Sequence, residues 1–225
     1  MTPFDLFFPT NPAALLGMVD PQRLGEAAAV FPGGAVALVF ALFWAPVGPG
    51  VPAGVLLARQ AGINPAATFA LYALSDLLGA CICHPLYSAL RRAAGQVPLL
   101  RALGRRLVGL ALIGTRPPRL EELQSSNRRA LPVLIRIGSV GFGADIYSAG
   151  LLIAGLPVRR VPAWAAAIVG DLVWFAILLA TSIVTAQVTD QSWVQLVVMV
   201  VVMLLAPRLA RRLTPAAAEE PARAG

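Results

Sequence analysis

Eight residues in the first quarter of the chain limit what it can become. Ala45-Pro46-Val47-Gly48-Pro49-Gly50-Val51-Pro52 sits in the middle of an apolar run from Ala35 to Ala58. Three prolines remove three backbone donors, and two glycines weaken what remains, so no continuous helix crosses this stretch. The surrounding composition is that of a bilayer protein. Mean hydropathy is +0.75 and only 13% of residues are charged, with further apolar runs at Pro65–Leu90, Ala163–Ala186 and Val194–Ala206. Irregular backbone at membrane depth is tolerated only where protein buries it or a wet cavity lines it. The arms Ala35–Trp44 and Ala53–Ala61 each rise roughly 15 Å, about half the hydrocarbon thickness. Such arms suit a re-entrant hairpin that enters and leaves by the same face.

The pattern recurs. Val47-Gly48-Pro49-Gly50, Ala61-Gly62 and Ser75-Asp76-Leu77 are matched by Val140-Gly141-Phe142-Gly143, Ala154-Gly155 and Gly170-Asp171-Leu172. Fourteen residues separate the first glycine from that of the Ala-Gly pair in both copies. Each copy runs through an apolar segment, a glycine-rich break, a short apolar arm, a loop and a long helix carrying one aspartate. An internal repeat of this kind is one supersecondary unit used twice.

All 18 basic residues are arginine. In a soluble chain a pI near 10.9 would suggest nucleic acid. Here the arginines flank apolar segments, the pattern of loops facing anionic lipid on the cytoplasmic side, so no nucleic-acid partner is expected. If both broken segments crossed fully, keeping residues 91–119 and the Arg208, Arg211 and Arg212 end inside would demand a further crossing between 91 and 130. Leu107–Gly114 is too short to supply one. If both are re-entrant, 15 of the 18 arginines fall inside, Arg136 stands at the inner entrance, and only Arg23 and Arg59 lie outside. The helices at 65–90 and 163–186 then run in opposite directions.

The expected fold is therefore an all-α polytopic integral membrane protein with two inverted repeats, each a re-entrant hairpin plus a transmembrane helix. Residues 1–34 form an N-terminal surface segment. Repeat 1 spans 35–90, with a hairpin at 35–61 and a transmembrane helix at 65–90. A basic cytoplasmic linker covers 91–129. Repeat 2 spans 130–186, with a hairpin at 130–156 and a helix at 163–186. A C-terminal transmembrane helix at 194–207 and a disordered tail at 214–225 complete the chain. No basic region followed by an apolar core marks a signal peptide.

Three acids lie inside membrane segments: Asp76, Asp145 and Asp171. A carboxylate at the bilayer centre costs ~2.5–3.5 kcal/mol on insertion scales, which makes each a candidate for substrate or proton binding. Each also has a structural reading, as a hydrogen bond to an opposing hairpin or, for Asp145, as an N-cap before Ile146. Arg136 is the natural counter-charge; it either pairs with an acid, binds a phosphate or snorkels to the interface. Gly48, Gly50, Gly141 and Gly143 are the expected hairpin tips, where glycine lets backbones approach. Arg59 is a secondary candidate, an outward counterpart of Arg136 or a snorkelling residue. His84 shares a helix face with Asp76 and stands either in a proton relay or as an interfacial residue. Tyr72, Tyr87 and Tyr147 read as packing or interfacial residues rather than catalytic ones. Cys81 and Cys83 are two apart on a helix, too divergent to pair or share a metal, and read as buried small residues. No metal or cofactor is expected. No Gly-x-Ser-x-Gly elbow or paired-aspartate signature supports an enzyme.

The plan of Pro46–Leu90, and of Arg136–Thr181 with its Gly-Asp-Leu-Val-Trp, resembles small multidrug export-type proteins and the related DedA (VTT-domain) superfamily. The resemblance implies opposed re-entrant hairpins and transport driven by the proton-motive force. For the DedA branch it implies an anionic lipid carrier such as undecaprenyl phosphate as cargo, with Arg136 matching the arginine that opens the second hairpin. The acids of that family's first hairpin have no counterpart here, because Gly48–Pro52 is uncharged, and Asp145 lies near where its second hairpin arginine would fall.

The functional expectation is a proton-coupled secondary transporter in a bacterial inner (plasma) membrane, multi-pass with a cytoplasmic C-terminus. Its partners are membrane lipids and a small-molecule or lipid-phosphate substrate, and a homo-oligomer is compatible with the sequence. The alternative is a non-transporting membrane scaffold or assembly factor, whose polar groups only hold the fold.

Overall fold

In the computed structural model, residues 21–44, 50–96, 137, 146–154 and 159–213 are described. Within them the chain is helical, with no strand. The elements are α1 (Pro21–Val30), α2 (Gly34–Phe43), α3 (Gly50–Gln60), α4 (Pro65–Gln96), α5 (146–154), α6 (Arg160–Val188) and α7 (Ser192–Leu213). The linker beyond residue 96 and the tail from 214 lie outside the described residues.

Two helices, Pro65–Ala93 within α4 and all of α6, are long and apolar enough to cross a membrane. Residues 24–30 and 34–43 would make a third crossing only if counted together, and they are bent by 113°. Gly33 and Gly34 at that bend have φ of +88° and +69°, conformations that glycine adopts without strain. Ser192–Ala206 of α7 is a shorter apolar stretch than these two and covers most of the C-terminal helix expected at 194–207.

The sequence around the Pro-Gly break produces a helix pair. α2 and α3 flank residues 45–49 and pack on each other, with Phe43 against Gly54. A side-chain carbon on Gly54 would sit 2.6 Å from the Phe43 ring, so only glycine admits this approach. α3 ends in a Schellman motif: the Ile63 amide donates to Ala58 O (2.8 Å) and the Gly62 amide to Arg59 O (3.1 Å), with Gly62 at φ +69°. Asn64 then caps α4, its Oδ1 accepting from the Ala66 amide at 2.8 Å, and Pro65 takes the first helical position, where a missing N–H costs nothing. α6 begins at Arg160, three residues earlier than expected, with Pro162 tolerated in its first turn for the same reason.

α1 departs from the expected surface segment. Its Leu24 and Ala28 are buried and join the core formed by α2 and α3. Outward faces of the long helices are apolar, including Leu74, Leu78 and Ile82 on α4 and Val169, Val173 and Val184 on α6. Such faces are reversed relative to a soluble protein and fit lipid contact. Cys83 is buried but Cys81 lies on this outer face, so only one of the two cysteines is a packing residue; neither forms a disulfide.

α4 and α6 pack antiparallel. Tyr72 stacks on Phe175 (centroids 3.8 Å, planes 4° apart), whereas further along α4 His84 meets Trp164, so residue numbers rise along one helix as they fall along the other. Two apolar cores lie in succession along this pair. The first joins α1, α2 and α3 to Tyr72, Trp174, Phe175 and Leu178. The second joins Ile137 and α5 to Ala80, Cys83, Ala163, Trp164 and Ala167. Between apolar helices in lipid, dispersion rather than water release rewards this packing.

Candidate functional site

Asp76 and Asp171 occupy the seam between the two cores. Asp76 falls between Tyr72 of the first core and Ala80 of the second, and Asp171 between Trp174 and Ala167. Each is the twelfth residue of its helix, and each lies within one turn of the middle of its apolar span. The antiparallel register that pairs 72 with 175 and 84 with 164 brings 76 and 171 to one level. Both are buried, at 3% and 1% exposure. A carboxylate can take up or release a proton, and burial separates that exchange from bulk water.

The described edges of both broken segments reach the same level. Trp44, the last residue described before the first break, donates its indole N–H to Ser75 O at 3.2 Å. Tyr147, four residues past the second break, donates its hydroxyl to Trp44 O at 3.0 Å. Ile146 beside it packs at Gly79. One turn of α4, from Ser75 to Gly79, therefore receives both segments. Gly50 is buried at the start of α3, whereas Gly48, Gly141, Gly143, Arg136 and Asp145 lie outside the described residues.

Arg59 and His84 are placed away from this level, at opposite ends of α6. Arg59 donates to Gln195 Oε1 (2.7 Å) and to Ser182 O (3.4 Å). Gln195 is buried at 1% and passes its amide to Thr189 O at 2.7 Å. Arg59 thus ties α3 to α6 and α7 instead of snorkelling freely. His84 accepts from Trp164 Nε1 at Nδ1 (3.1 Å), while Nε2 faces Arg160 Nη1 at 3.3 Å. Both ring nitrogens of His84 thus face α6.

Trp44, Tyr147, Gly54 and Trp164 were not among the expected site residues. For the first two a signal existed: each is an aromatic residue within four positions of a glycine-rich break. Among the described residues no group of three or more His, Cys, Asp or Glu is placed to hold a metal ion.

Fold and site together define a helical protein with two long apolar helices that fit a membrane and a buried acidic seam between them. No protein-family model, curated protein or solved structure matches the chain.

Proposed function

We propose that the protein is a proton-coupled secondary transporter built from two inverted, re-entrant-hairpin repeats. It moves a small or lipid-linked substrate, anions included, across a bacterial inner membrane with its C-terminus in the cytoplasm. The observation that carries this reading is the placement of two buried carboxylates, Asp76 and Asp171, at one level of the α4–α6 pair, where the described edges of both broken segments reach α4. Broken helices and polar groups near the middle of opposed repeats are a transporter arrangement. The DedA-like resemblance, which rests on the residue pattern, points the same way and makes Arg136 the group that meets an anion.

The test is flux into proteoliposomes holding a pH-sensitive dye, with inorganic phosphate, a short-chain polyprenyl phosphate and a lipophilic cation as probes. Transport of one probe should follow an imposed pH gradient, and the Asp76→Asn/Asp171→Asn double variant should fold yet lose that dependence. A double variant that retains gradient-driven flux would refute proton coupling through this pair. The scaffold reading draws support from Arg59, whose bonds are all structural ties. It predicts no flux of any probe and a double variant that fails to fold.

A further inference from the structure

His84 presents a donor conflict. The indole N–H of Trp164 can only donate, so His84 Nδ1 is an acceptor and the ring carries a proton on Nε2. Arg160 also only donates, yet its Nη1 stands 3.3 Å from that same Nε2. Two N–H groups therefore converge with no lone pair between them. Trp164 is buried and close against Gly150, where an added side-chain carbon would lie 2.5 Å from the indole, so the donor on the Nδ1 side is held in place. The level of Arg160 on α6 corresponds to residues 87–88 on α4, so its guanidinium reaches about a turn toward the core to meet His84 instead of snorkelling outward.

No carboxylate pairs with Arg160 among the described residues. Arg159 beside it is exposed and adds a second cation. Arg91 is already committed to Ala154 O (2.8 Å), and Arg92 reaches Ser88 O through Nε.

We infer that His84 Nε2–H and the Arg160 guanidinium form a binding site for a phosphate oxyanion, at the end of the α4–α6 pair where the helices leave the apolar core. One phosphate oxygen accepting from both groups removes the conflict and neutralises Arg160, and Arg159 supplies the outer charge. Val161, next to Arg160 on α6, is apolar and exposed, which suits the acyl chains of an anionic lipid whose headgroup carries that phosphate. The site stands apart from the acidic seam and does not depend on whether the chain transports.

The test uses the full chain purified in detergent. Binding of short-chain phosphatidylglycerol, short-chain phosphatidylcholine and inorganic phosphate is measured by titration calorimetry at constant ionic strength. Phosphatidylglycerol should bind more tightly than phosphatidylcholine, and Arg160→Gln should weaken it about ten-fold. Trp164→Phe, which releases Nδ1, should weaken it several-fold, whereas Arg92→Gln should change it less than about two-fold. Binding of phosphatidylglycerol alone assigns the site to a lipid headgroup, and binding of inorganic phosphate as well assigns it to phosphate from either source. Unchanged affinity in Arg160→Gln, or equal losses in Arg160→Gln and Arg92→Gln, would overturn the site in favour of diffuse attraction. Should Arg160→Gln not fold, Arg160→Lys keeps the charge without the fork. It should lose about three-fold, and unchanged affinity there overturns the site too.

Discussion

Gly54→Ala tests whether the α2–α3 pair is held at its limit of approach. The new Cβ would stand 2.6 Å from Phe43 Cε1 and 2.9 Å from Cδ1. Phe43 cannot give way easily, because it is 5% exposed and boxed edge-on by Tyr72 (5.3 Å) and Phe175 (5.4 Å). Overpacking of this kind costs ~1–3 kcal/mol. Against it, alanine in place of glycine inside a helix gains about 0.8–1.0 kcal/mol. The net expectation is destabilisation of roughly 1 kcal/mol. In a Phe43→Ala background, itself costing roughly 3–5 kcal/mol, the obstruction is gone and only the propensity gain remains. There Gly54→Ala should stabilise by about 1 kcal/mol, a reversal of sign. Reversible unfolding in mixed micelles, followed by far-ultraviolet circular dichroism, measures all four corners of the cycle. Stabilisation by Gly54→Ala alone, or additivity of the two changes within about 0.5 kcal/mol, would refute close packing as the reason for this glycine.

Tyr147→Phe deletes the hydroxyl that reaches Trp44 O and should cost about 1 kcal/mol in the same assay; no change would mean that the two broken segments are not joined there. Gln195→Leu leaves Arg59 without its buried acceptor and should cost about 1–3 kcal/mol, whereas a stability gain would show that the tie is dispensable. For orientation, single cysteines at Ala61 and Gln191, in a background lacking Cys81 and Cys83, should react with a membrane-impermeant maleimide in intact cells. A cysteine at Arg92 should react only after permeabilisation, and the opposite pattern would invert the topology.

The two long helices were legible because their apolar runs exceed any other use, and the start of α4 was legible because Gly62, Asn64 and Pro65 each have one local job. The acids were legible too, since a carboxylate in such a run stands out, and each is the twelfth residue of its helix. What could not be read was pairing across the fold. Leu24 and Ala28 look like any surface amphipathic stretch until α2 and α3 offer them a core. His84 reads as lying on the Asp76 face, because helical periodicity speaks only of its own helix and says nothing of Trp164. Gly54 carries no Gly-x-Gly mark, so the close approach lay one turn beyond the expected tip at Gly50.

The stacking of Tyr72 on Phe175 also sets a timetable for biosynthesis. The two rings are separated by about a hundred residues of chain, so at ribosomal rates of roughly 5–20 residues per second α4 waits on the order of 5–20 s for α6. During that interval the Ser75–Gly79 turn and the Asp76 carboxylate have no second long helix to cover them. A nascent chain stalled before residue 160 holds a charged group that lipid does not accept, which makes it a ready substrate for membrane insertases and quality-control proteases.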